Sequence, residues 1–140
     1  MTTRRQFLAA AALAASALTL ATGPALAAPP VVEIVAMPHP PVKAALQPLR
    51  DWLAAQGSKV RVTEIDIEGA EGAKRLQAAG LSGHIPVLIL IDGKHSFRRK
   101  DGSQVAFVNF PNTPDTPAGA RGNWTTADVQ AVVADHIKGK

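Results

Sequence analysis

The sequence predicts one small α/β domain, and three observations carry that expectation. The 140-residue chain contains no cysteine, so an apolar core has to hold it without disulfides. Two short, β-branched runs, Val31 to Met37 and Val87 to Ile91, are bounded by prolines or turn residues and read as buried strands. Between and after them, apolar residues recur at three- and four-residue spacing, as in helices that bury one face.

The N-terminal stretch stands apart from this pattern. Met1 to Leu8 (MTTRRQFL) is basic, and a run of Ala, Leu, Ser and Thr follows to Leu20. A basic start, an apolar stretch and a small-x-small triplet, here Ala25-Leu26-Ala27, make the pattern of a cleavable export signal. The expected organisation is therefore a signal over residues 1–27 and one domain over residues 28–140. Arg4-Arg5-Gln6-Phe7-Leu8 resembles a twin-arginine motif, with the general secretory route as the alternative. A membrane span needs about 20 strongly apolar residues. This run is Ala-rich and broken by Gly23-Pro24, so no permanent span is expected after cleavage. These features imply a periplasmic or secreted bacterial protein.

The elements follow in order. After Pro29-Pro30, Val31 to Met37 (VVEIVAM) is a strand, and Pro38, Pro40 and Pro41 end it. Pro41 suits the first turn of a helix. Val42, Ala45, Leu46, Leu49, Trp52 and Leu53 form its apolar face, Pro48 should kink it, and Gly57 closes it. Lys59 to Ile67 alternates apolar and charged residues as a second strand. Glu71 to Ala79 is a short helix capped by Gly80. Val87 to Ile91 is a central strand, and Asp92-Gly93 a turn. Ser96 to Arg99 and Gln104 to Phe110 read as a hairpin around Lys100-Asp101-Gly102-Ser103. Residues 111–124 are rich in Pro, Gly, Thr and Asn, a long flexible loop without structure of its own, hence mobile or functional. A last helix spans about Thr126 to His136. Thr125 and Asp128 resemble a capping box, and Trp124 with Val129 a staple.

Charge excludes one class of partner. Without Arg4 and Arg5 the domain carries thirteen basic and eleven acidic residues, a net +2. That is too little for a nucleic-acid footprint. Arg98-Arg99-Lys100 is followed at once by Asp101 and suits a solvated turn. No GxSxG motif, paired-acid constellation or glycine-rich phosphate loop is present, so no catalytic residue is assigned and no cofactor is expected.

The segment Ala79 to Gly93 (AGLSGHIPVLILIDG) resembles the part of the thioredoxin superfamily in which a glycine-containing turn, an Ile and a cis-proline open the central strand. The resemblance implies a three-layer fold, a central mixed sheet flanked by helices, in the order β-α-β-α-β-β-α. It also implies a cis peptide bond at Pro86. The superfamily's redox motif lies just after the first strand. Here that place holds Met37-Pro38-His39-Pro40-Pro41, with neither sulfur nucleophile. Thiol–disulfide exchange needs a thiolate, so it is excluded.

The resemblance further implies that this bend and His84-Ile85-Pro86 lie side by side. Three readings of that corner stay open. It is purely structural. It is a groove formed by Met37, Pro38, His39, Pro40, His84, Ile85 and Pro86, with Phe110 and Trp124 adding apolar contacts, that holds an extended peptide by β-augmentation. Or Met37, His39 and His84 bind copper, since thioether and imidazole suit it. The expectation taken forward is a non-catalytic binding or accessory module whose partner is an unidentified periplasmic protein or peptide, with copper binding as the alternative.

Overall fold

In a computed structural model of the chain, residue 23 and residues 27–139 are described. Apart from Gly23 and Ala27, the expected export signal lies outside them. No helix among the described residues is long and apolar enough to cross a membrane. The elements run β1 Val31–Ala36, α1 Pro40–Ala55, β2 Arg61–Asp66, α2 Ala70–Ala78, β3 Val87–Ile91, β4 Ser96–Arg98, β5 Gln104–Ala106 and α3 Thr126–Ile137. Among the described residues the fold is α/β, with a mixed sheet and three helices.

The sheet has the order β2-β1-β3. β1 runs parallel to β2, with Val31 opposite Arg61 and Ala36 opposite Asp66. It runs antiparallel to β3, with Val32 opposite Ile91 and Ala36 opposite Val87. A strand buried on both faces needs an unbroken apolar run, and every residue of β3 is buried. Ion pairs show which helix covers which face. Arg50 of α1 holds Glu64, the register partner of Ile34. Arg75 of α2 holds Glu33, one position earlier on β1. Adjacent strand residues point to opposite faces, so α1 and α2 lie on opposite sides of the sheet.

The structure has one strand more than the expected order. β3 does not form a hairpin with its successor. Asp92 (φ 48°) and Gly93 (φ 80°) reverse the chain, and β4 and β5 then pair with each other. The long arm expected over Gln104 to Phe110 breaks after Ala106, where Val108 N–H turns back to the Ala106 carbonyl. Beyond that bulge the chain runs along the free edge of β3. Ile89 N–H donates to the Phe107 carbonyl (2.9 Å), and Asn109 N–H donates to the Val87 carbonyl (2.8 Å).

Helix α1 spans 16 residues and continues through Pro48. Val42, Leu46, Leu49 and Leu53 are its buried stripe, while Pro48 sits on the exposed side. Helix α3 has the expected capping box. Thr125 Oγ1 accepts from Asp128 N–H, and the Asp128 carboxylate accepts from Thr125 N–H (2.8 Å). Arg99 also clamps that carboxylate, at 2.7 and 2.9 Å. The Arg99 bond is the main reason the Asp128 carboxyl is held below the usual carboxylate range. The clamp fastens the β4–β5 turn to the start of α3.

Candidate functional site

Three segments meet at one end of the sheet. Met37 N–H donates to the Pro86 carbonyl at 3.0 Å, which sets the proline-rich bend directly beside the His84–Pro86 turn. On the other flank, the Asn109–Val87 hydrogen bond brings Phe110 up to the same turn. The Ile85–Pro86 bond is trans, as every described peptide bond is, which corrects the cis expectation. The tertiary amide before proline favours trans by about 0.5–1 kcal/mol, and the β1–β3 register closes without the rarer isomer. The backbone N–H groups of Ser82, Gly83, His84 and Ile85 take part in no hydrogen bond within the described chain.

The expected site residues divide into two groups. Met37 and Ile85 are packed into the core, at 8% and 9% exposure. Pro38, His39, Pro40 and His84 are exposed, and Pro86 and Phe110 are half-buried. His39 Nε2 meets Glu68 Oε2 at 3.2 Å, and both side chains are about half exposed. An exposed pair of this kind contributes less than about 1 kcal/mol.

Trp124 does not line the corner and must be removed from the expected groove. It is fully buried, packs edge-on against Phe107 (centroids 5.9 Å apart), and its Nε1–H donates to the Val108 and Asn109 carbonyls, both at 3.2 Å. Burying so large an apolar ring is favourable, and the two carbonyls satisfy its one polar atom.

The opening lies just beyond the corner. A groove of about 520 Å³ runs between Pro41, Ala44, Ala45 and Pro48 of α1 and a wall comprising Phe110, Thr113, Asp115, Thr116, Pro117 and Ala120. Its volume falls in the range of ligand sites, roughly 300–1,000 Å³. On α1, positions 41, 44, 45 and 48 share a helix face, and only Pro and Ala occupy them. Small side chains leave the space open. Of the expected site residues only Phe110 lines it. The α1 stripe was legible in principle as small residues at helical spacing, but nothing in the sequence paired it with a loop some seventy residues away.

The opposite wall is not the structureless loop expected of residues 111–124. Phe110 N–H donates to Ala120, Gly122 N–H returns to Phe110, and Asn112 N–H donates to Trp124 at 2.6 Å. Thr113 and Thr116 share a hydroxyl hydrogen bond of 3.0 Å, and Arg121 Nε donates to the Thr116 carbonyl. A 3-10 turn spans Ala118–Ala120. Gly122 is required here, since a Cβ on it would collide with the Val108 carbonyl and the Trp124 ring. Hydrogen bonds within the loop hold this wall in place.

Two other polar places lie at the two ends of the sheet. Met37 borders a smaller cavity of about 200 Å³ together with Lys43, Arg50, Glu64 and Asp66, a charge-balanced lining in which Arg50 is already paired with Glu64. Among the described residues no group of three or more His, Cys, Asp or Glu side chains could hold a metal ion. At the far end of the sheet, Asp92 Oδ1 accepts from Val31 N–H and its Oδ2 meets His136 Nδ1, both at 2.8 Å. Burial pushes the Asp92 carboxyl up, but the Val31 N–H and His136 outweigh it and hold it below the usual range. This clasp joins the start of β1 to the end of α3.

Comparison of the chain with protein-family models, with curated proteins and with solved structures finds no match.

Proposed function

We propose that the chain is an exported, thioredoxin-like domain without redox cysteines that binds an extended peptide or protein segment where the proline-rich bend, the His84–Pro86 turn and the groove adjoin. The thioredoxin-like part of this reading rests on β1 being parallel to β2 and antiparallel to β3, on α1 and α2 covering opposite faces, and on Met37 lying against Pro86. The trans bond at Pro86 departs from that family's pattern.

The observation that carries the binding reading is the apolar groove, joined through Phe110 to the turn before β3, together with the backbone N–H groups of Ser82 to Ile85, which no described residue pairs. Unpaired backbone N–H groups can give a peptide main-chain hydrogen bonds, and a pocket joined to them can select its side chains. With no thiol in the chain, thiol–disulfide exchange is closed to this corner.

The test is a titration of the ¹⁵N-labelled chain with a panel of unstructured, capped peptides. Binding should shift amide resonances in residues 82–86 and 110–120 together. A panel that leaves both segments unmoved at millimolar peptide rules the proposal out.

A further inference from the structure

The chemistry of the groove narrows the class of peptide, an inference that rests on the peptide-binding reading. Nine of its ten lining residues are Pro, Ala, Phe or Thr, and the tenth, Asp115, is its single charge. Asp115 is exposed, and among the described residues its carboxylate makes no ion pair and no side-chain hydrogen bond. No Lys, Arg or His lines the cavity. Arg121, tied to the same loop, does not line it; its guanidinium donates to the carbonyls of Thr116 and Pro114, on either side of Asp115. The two threonine hydroxyls satisfy each other. The groove therefore offers apolar surface along its length and one free carboxylate at its rim.

We infer that the preferred occupant is an extended peptide segment that seats apolar side chains between α1 and the loop and sets a lysine or arginine beside Asp115. The unpaired N–H groups of Ser82 to Ile85 favour a peptide, which has carbonyls to offer them, over a compact apolar molecule. An acidic flank is disfavoured, because Asp115 repels it and no cation lines the groove to attract it. The exposed ion pair adds selectivity more than affinity.

The experiment uses the full chain and two capped hexapeptides, each with adjacent leucines, one followed by lysine and one by glutamate. Affinities are read by calorimetry at low and high salt, and the contact by amide shifts. The lysine peptide should bind about threefold to fivefold more tightly, a gap that Asp115→Asn and high salt should both close. Ala44→Trp, at an exposed position on α1, fills the groove and should weaken both peptides more than tenfold. Circular dichroism and thermal melting confirm that each variant is folded.

Equal affinities that Ala44→Trp still abolishes would overturn the charge preference and leave peptide binding standing. Tighter binding of the glutamate peptide would do the same. Shifts confined to residues 82–86 and indifferent to Ala44→Trp would remove the groove from the binding site. Absence of binding by either peptide would end both proposals.

Discussion

Replacing Trp124 with phenylalanine tests whether that residue belongs to the core or to the binding surface. The substitution keeps an aromatic ring against Phe107 and removes three ring atoms, among them Nε1. The two lost carbons count for about 0.8 kcal/mol each by area-based transfer. The lost donor leaves the Val108 and Asn109 carbonyls without it, and a net hydrogen bond of this kind contributes about 1 kcal/mol. The total is about 2.5 kcal/mol, which in a domain of this size lowers the melting temperature by about 10 °C. Urea unfolding followed by far-UV circular dichroism should give the same loss as a lower midpoint at unchanged slope. An exposed contact residue would cost less than about 0.5 kcal/mol. A variant melting within about 2 °C of the parent would therefore refute the assignment of Trp124 to the core.

Gly122→Ala forces a Cβ into the Val108 carbonyl and should destabilise the chain by about 1–3 kcal/mol, whereas Gly119→Ala, with open space around it, should be near neutral in the same melt. Asp128, depressed by Arg99, supplies stability that is present above its unfolded pKa of about 3.9 and is lost as pH falls through its lower folded value. Asp128→Asn should accordingly flatten the acid limb of urea midpoints measured from pH 5 downward, and an unchanged limb would exclude that linkage. Glu64→Gln weakens an exposed partner of Arg50 and should cost less than about 1 kcal/mol in urea. Pro48→Ala restores a helical N–H and should raise stability by roughly 1 kcal/mol. It should also soften the groove wall and weaken peptide binding by calorimetry.

How much of this was legible in the sequence depended on how local the determinants were. β1 and β3 announced themselves as continuous apolar runs because both of their faces are covered. The α3 capping box was readable because Thr125 and Asp128 satisfy each other within one turn. The turn between β3 and the β4–β5 hairpin was readable in Asp92-Gly93, whereas the break after Ala106 and the pairing of Phe107 and Asn109 with β3 were not. That turn holds Asp92 at φ 48°, supported by a carboxylate bound to Val31, near the start of the domain's sequence, and to His136, near its end. The cis state at Pro86 came from a family resemblance, not from these residues, and the trans bond is the ordinary outcome. Trp124 was misplaced because an aromatic beside a Pro- and Gly-rich stretch resembles a binding residue until the carbonyls that hold its Nε1 are known.

The groove was invisible for a stronger reason. Each half, read alone, is bland: small residues on the outer face of α1, and a polar loop. They become a site only because Phe107 and Asn109 pair with β3 and carry Phe110 to the proline-rich bend, while Trp124 and Gly122 pin the returning loop behind it. Stability and groove shape therefore share one set of side chains, those around Trp124. Groove volume depends separately on α1 keeping Ala44 and Ala45 small. Loosening Trp124 should lower melting temperature and peptide affinity together, whereas Ala44→Trp should abolish binding with the melting temperature held. That dissociation separates a site built by the core from an apolar cleft left over between two segments.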